Sequence, residues 1–290
     1  MNQINARFVD NQRQRTRRTV GAVSKYVLLI ALSVIQIFPL VWLIDFSLAS
    51  SNELFTTGLL IWPQKFRWDN YEQAIHQGNV IKYFFNSLLI NTLAVIIVIV
   101  FGIMVAYACT RMKWKLNPIV RNLILLGMMI PIHATLIPNF LIYNTLKITD
   151  TIWALLLPYV AFSLPQALFL FCGFMESIPR ELEEAAVMDG CGIYRIVWRI
   201  IAPLMKSSIA TVAIMTYLNN WNEFMMATVY LQSKTWRTLP YSIVELTGQY
   251  SSNYAVHFAV MALSAFPIVI IYIILNKRII KGVTEGSVKG

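Results

Sequence analysis

The chain's 290 residues are 57% apolar and only 13% charged, with mean hydropathy +0.60; an average soluble domain carries about 25% charge. The 24 bases outnumber the 14 acids for a net charge of +10, and there are three cysteines. A disordered chain, a secreted disulfide scaffold and a soluble globule are all excluded, which leaves a polytopic membrane protein.

The chain opens on a basic stretch (Arg7, Arg13, Arg15, Arg17, Arg18, Lys25), followed by an uncharged run over residues 26–44. About 20 helical residues cross the ~30 Å hydrocarbon core, so this run reads as a first span. It is longer than a signal-peptide core and no small-x-small site follows Ile44, so it is expected to stay uncleaved, with the arginines as a topology anchor. Without aromatic interleaving or a reader module, nucleic acid is not an expected partner. Asp45 falls at the outer interface. Residues 48–82 form an external segment with Trp62-Pro63, then Phe66-Arg67-Trp68-Asp69-Asn70-Tyr71 and the helical Glu72-Gln73-Ala74-Ile75.

Apolar runs follow over 83–110, 122–146, 151–175, 207–222 and within 246–276. Lipid leaves a bare backbone unsatisfied, so spans are helices or closed barrels. Barrel strands would alternate over about ten residues, and these runs do not. Six transmembrane helices are therefore expected. In the second, Gly102, Ala106 and Thr110 form a small-residue packing stripe, while Asn86 and Asn91 bond between helices or line a path. Pro131 and Pro138 mark a kink in the third, and 147–150 is a bare turn into the fourth. With both termini cytoplasmic, 18 of the 24 bases lie inside, as the positive-inside rule requires. Cys109, Cys172 and Cys191 then face the reducing side. His76, His133 and His257 are scattered, and neither a disulfide nor a metal site is expected.

The inner loop 176–206 is too long for a connector. Ser177 is placed to N-cap a helix with Pro179 in its first turn, Glu181, Glu183 and Glu184 favour the helix dipole, and Gly190 supplies a left-handed stop. Ile193, Ile196, Val197, Ile200 and Ile201 give a second helix one apolar face, ended or bent by Pro203. The pair could lie on the membrane surface, but its acids oppose anionic headgroups and favour a protein partner.

This loop resembles the signature of binding-protein-dependent ABC importer permeases. Glu184-Ala185-Ala186, Asp189-Gly190, Ile200 and Pro203 fall at the family spacing, with Ala202 where leucine is usual. Asp69-Asn70-Tyr71, Asn86-Ser87-Leu88, Trp221-Asn222-Glu223-Phe224 and the ending Val288-Lys289-Gly290 are similar to the carbohydrate branch, and to its smaller maltose-type subunit. The resemblance implies an all-α type I (MetI-like) permease fold. It also implies a homologous second permease forming a heterodimer, two ABC ATPase subunits, and an extracytoplasmic solute-binding protein. Glu181, Glu184, Ala185, Ala186, Asp189, Gly190, Ile200 and Pro203 would couple to an ATPase. No GxxxxGK[ST] is present, so no catalytic role or cofactor is expected, ATP being held by the partners. The implied organisation is a basic cytosolic tail (1–25), a first span with its external segment (26–82), a permease core (83–275) and a cytosolic tail (276–290), in a bacterial or archaeal plasma membrane.

The expected translocation path is Asn219, Asn220, Trp221, Asn222 and Glu223. On a helix starting near Lys206, Glu223 lies about 25 Å along; an acid there needs a wet cavity or a partner, or else serves as a gate or helix cap. Amides, a carboxylate and an indole suit sugar hydroxyls and ring faces. The alternatives are an ABC permease for a non-sugar solute, an ion-coupled secondary transporter, disfavoured by the lack of a midplane charge, and a membrane enzyme, for which no HExxH or GxSxG motif is present.

Overall fold

The computed structural model describes residues 2–53, 63–247 and 253–287, with side chains described from 21 to 273 within those limits. Trp62 and the 288–290 ending lie outside the described residues, and Arg7, Arg13, Arg15, Arg17, Arg18, Lys277, Arg278 and Lys281 are described as helical backbone alone. All regular structure among the described residues is helical. The chain divides into two compact units, Met1–Glu72 with Ser252–Ala262, and Gln73–Ser251 with Leu263–Gly290.

In the first unit, helix α1 (Asn2–Leu48) runs unbroken through Pro39, so the basic stretch and first span share one helix. Its apolar side chains from Val23 to Val41 are exposed, as suits contact with lipid or another subunit. The end of α1 is held by Asn70, whose Nδ2 donates to the Ser47 and Ala49 carbonyls at 2.9 Å each. These are the carbonyls that a helix C-terminus leaves unpaired. Tyr71 adds a 2.6 Å hydroxyl contact to Ser47, so the Asp69-Asn70-Tyr71 triplet fastens the start of α2 (Asp69–Gln77) to the end of α1. Trp42, Phe46 and Phe258 cluster beside this joint, the Phe258 ring edge-on to the other two, with Phe258 on α13 (Tyr254–Ser287).

The second unit is built on α3 (Val80–Thr110) and α6 (Trp153–Glu176), which pack along their lengths, with α10 (Lys206–Trp221) against both. The small-residue stripe makes this contact: a Cβ on Gly102 would lie 3.0 Å from the Phe171 ring, Ala106 is fully buried, and the Thr110 hydroxyl reaches Met175 Sδ at 3.0 Å. Asn86 and Asn91 do not bond directly between two helices. Asn86 donates to the Thr235 and Arg237 carbonyls, and Asn91 to its own helix at Ser87. Ser87 in turn accepts from the Leu239 amide at 2.8 Å. Asn86 and Ser87 thus pin the segment before α12 (Ser242–Thr247).

Among the described residues four helices are long and apolar enough to span a membrane, and two bent pairs, counted as broken spans, bring the number to six. The third span starts at Asn117, earlier than expected, because Pro118 fits the first turn of α4 (Asn117–Leu126). It turns by 96° at Pro131 before α5 (Leu136–Thr145); Ile130 is extended, as a residue before proline must be. Pro138 causes no kink, since it lies in the first turn of α5, where its amide has no partner to lose. The 147–150 turn is not bare: Lys147 and Asp150 take left-handed φ values of 56° and 60°, and Asp150 accepts from the Ser233 amide at 2.6 Å.

Ser177 does not cap the next helix. It closes α6, donating to the Phe174 carbonyl at 2.6 Å, and α7 (Glu181–Met188) begins after Arg180. The chain then forms α8 (Ile193–Ile196), a π turn over Val197–Ile201, and α9 (Ala202–Leu204). Pro203 has no amide for the Arg199 carbonyl, and the π turn absorbs that lost register. The 82° bend into α10 follows at Met205, two residues beyond the expected proline.

Candidate functional site

Two regions gather the polar chemistry of the second unit. The first is α7, with Glu181, Glu183 and Glu184 in its first turn, where the helix dipole stabilises negative charge. Gly190 closes it at φ 78°, with the Cys191 amide reaching back to the Ala186 carbonyl at 2.9 Å; the left-handed stop is where the sequence placed it. Glu181, Glu184, Ala185, Asp189 and Gly190 are exposed, whereas Ala186 is buried in the core. Pro203 is exposed and Ile200 packs half-buried against the same core. Leu182, Val187 and Tyr194 are exposed near the acids, and Met188 is 87% exposed. An acidic rim beside exposed apolar side chains suits a protein groove better than water.

Glu183 stands in the first turn with the other acids, as the sequence indicated, but it turns inward, which sequence reasoning did not anticipate. It meets Arg111 Nε at 2.8 Å and accepts from the Tyr107 hydroxyl at 3.0 Å. The buried Ala186, three residues on, lies on the same helical face. Removing one partner of such a buried pair costs about 3–5 kcal/mol.

The second region is a cleft of about 550 Å³ between α6, the Pro131 break and the end of α10, lined by Ile132, His133, Tyr159, Phe162, Ser163, Gln166, Asn219, Asn220, Asn222, Glu223 and Phe224. Trp221 is not part of it. It is buried, stacked on Tyr217 at 5.3 Å and edge-on to Phe84 at 5.8 Å. Glu223 does not continue the helix; it lies in the gap before α11 (Met225–Tyr230). One carboxylate oxygen accepts from the Met226 amide at 2.7 Å, the other from Ala227 at 3.3 Å and the Tyr159 hydroxyl at 3.1 Å. Glu223 is therefore both a helix cap and a cleft wall. Asn220 is buried, and its Nδ2 has no hydrogen-bond partner among the described residues. His133, Tyr159 and Gln166 were not picked out from sequence, although a lone polar residue in an apolar run is a signal.

Residues 98–285 match the model of the binding-protein-dependent transport system inner membrane component. The chain belongs to this permease family. The assignment removes the ion-coupled carrier and the membrane enzyme. The permease is 37% identical over 265 residues to the ABC transporter permease protein ORF2 of Caldicellulosiruptor sp. (strain Rt8B.4), covering 91% of this chain and 96% of that one. It is 33% identical over 262 residues to the arabinooligosaccharides transport system permease protein AraQ of Bacillus subtilis (strain 168), covering 89% and 92%. Its fold matches a bacterial ABC transporter involved in importing the acidic polysaccharide alginate, with TM-score 0.76 at 23% identity over 89% of this chain and 96% of that one.

Proposed function

We propose that this permease carries a sugar or oligosaccharide across the plasma membrane as one half of a heterodimeric pore, powered by two ATPase subunits and fed by an extracytoplasmic binding protein. The observation that carries the cargo reading is the cleft, where Asn219, Asn220, Asn222, Gln166 and Glu223 face a space walled by Phe162 and Phe224. Hydroxyls pair with amides and a carboxylate, and a pyranose face packs on an aromatic ring. The relatives named for sugar cargo, such as AraQ, support the same class.

In this reading both termini and α7 are cytoplasmic, and the exposed face of α7 (Glu181, Glu184, Ala185, Asp189) docks in a groove on one ATPase. Gly190 and Gly192 let that helix swing, while Ile200 and Pro203 belong to the second arm that joins it to α10. Movement of the arm rocks the broken spans and opens the cleft to alternate sides. Uptake of labelled neutral di- and trisaccharides by cells carrying the complete operon tests this. ATP depletion should abolish uptake, and collapse of the proton and sodium gradients at constant ATP should leave it intact. Saccharide uptake indifferent to ATP, or transport only of a non-sugar solute, would overturn it.

A further inference from the structure

α7 has only two buried side chains, Glu183 and Ala186. Ala186 presents a methyl group to the core, a contact that resists pushing but offers no directional bond. On its C-terminal side α7 is followed by Gly190 and Gly192, which suit bending, whereas the 177–180 turn before it contains Pro179 and packs Ile178 on the core. Two directional bonds attach α7 to the helical core: at its N-cap Arg180 donates to the Thr110 carbonyl at 3.3 Å from an exposed position, and from within the helix Glu183 turns into the core. Its Oε1 lies 2.8 Å from Arg111 Nε, with the two side chains 11% and 7% exposed. The N–H is not aimed along this line, so the contact is a charge pair, while Oε2 takes the Tyr107 hydroxyl at 3.0 Å. Both partners stand in the last turn of α3 or just beyond it.

Arg111 does more than neutralise the acid. Its terminal nitrogen donates to the Met175 carbonyl at 2.7 Å, in the last turn of α6, and to the Ile178 carbonyl at 2.6 Å, in the turn that follows. One guanidinium therefore joins α3, α6 and α7, and α3 with α6 is the most extensive helix pair of the second unit. Coupling needs a physical element that moves as one when either site is biased.

Resting on the reading of α7 as the ATPase-facing lever, we infer that Glu183 is the positioning residue that transmits displacement of α7 to α3 and α6, through Arg111 and Tyr107. Glu181 and Glu184 on the outer face hold the ATPase; Glu183 on the inner face holds the pore. Substitutions on the two faces therefore fail differently. Loss of Glu184 releases the ATPase, whereas loss of Glu183 leaves the ATPase bound and turning over while the pore stops responding.

The test uses the assembled importer, purified with its ATPases and reconstituted in lipid. The permease carries Cys191→Ala, which removes the one partly exposed thiol, and Ile132→Cys as a reporter in the cleft. The rate of modification by a membrane-impermeant maleimide is compared without nucleotide and after trapping with MgATP and vanadate. In the Glu183 background that rate should change by at least about fivefold, the lower end of ordinary allosteric coupling. In Glu183→Gln the change should shrink to less than about twofold, with ATPase recovery and basal hydrolysis preserved. Tyr107→Phe removes one hydroxyl from the same cluster and should give an intermediate response in a fully assembled complex. A full nucleotide response in Glu183→Gln overturns the inference, and if that variant does not assemble, a full response in Tyr107→Phe does so. Failure of any ATPase to purify with the Glu183 protein sinks the lever reading itself and this inference with it.

Discussion

The hydroxyl of Tyr159, in the second turn of α6, donates to Glu223 at 3.1 Å, in the gap between α10 and α11. The same carboxylate caps the first amides of α11, so one acid ties a broken span to its neighbour while facing the cleft.

Tyr159→Phe removes one hydrogen bond to a charged group, a loss of about 1.5–3 kcal/mol, and should lower the thermal midpoint of the detergent-solubilised permease. Glu223→Gln keeps the size but loses the charge. It should reduce saccharide uptake by on the order of tenfold, equivalent to about 1.4 kcal/mol, while the partner subunits still co-purify. Uptake at the full level would remove Glu223 from the path.

Gly102 sits against a Phe171 ring that is itself fully buried, so the ring has little room to retreat. Gly102→Val should destabilise by about 1–3 kcal/mol through overpacking of α3 on α6, read as a lower thermal midpoint. An unchanged midpoint would mean the two helices separate more easily than their packing implies.

Glu184→Lys reverses charge on the exposed face of α7, and Met188→Asp places a carboxylate where an apolar side chain stands 87% exposed. Neither touches the core. Both should cut ATPase recovered with the permease by roughly tenfold or more, as hot-spot changes do, without changing the amount of permease in the membrane.

Glu245 on α12 is gripped by Lys234 and, at 2.7 Å, by Arg237. Burial works against its ionised form, but Lys234, the Tyr83 hydroxyl donating at 3.2 Å and Arg237 together hold its carboxyl below its ordinary value. A depressed carboxyl contributes stability above the unfolded-state pKa, which is lost as pH falls through the folded one. The 231–241 segment should therefore resist proteolysis at neutral pH and loosen only below about pH 4.5. Glu245→Gln should make it protease-sensitive at neutral pH and remove most of the acid dependence.

The sequence made the spans and α7 legible because both rest on local signals: uncharged length, first-turn acids and a glycine stop. The breaks were less legible. Pro131 and Pro138 look alike in sequence, and only their register in the helix decides that the first bends the chain and the second does not. Trp221 reads as a sugar platform by residue type, but helical phase turns it towards Phe84 and Tyr217 and leaves its neighbours in the cleft. Glu183 is one of three acids within four residues, and what distinguishes it is Arg111, 72 residues away. Long-range partners of this kind leave no mark in local spacing.

A photo-crosslinking amino acid at position 188, at the most exposed point of α7, tests the central claim most directly. In native membrane vesicles it should yield a single adduct whose partner peptides carry a phosphate-binding GxxxxGK[ST] loop, with a yield that changes on adding ATP and vanadate. Vesicles that transport normally but give no adduct to such a subunit would contradict it.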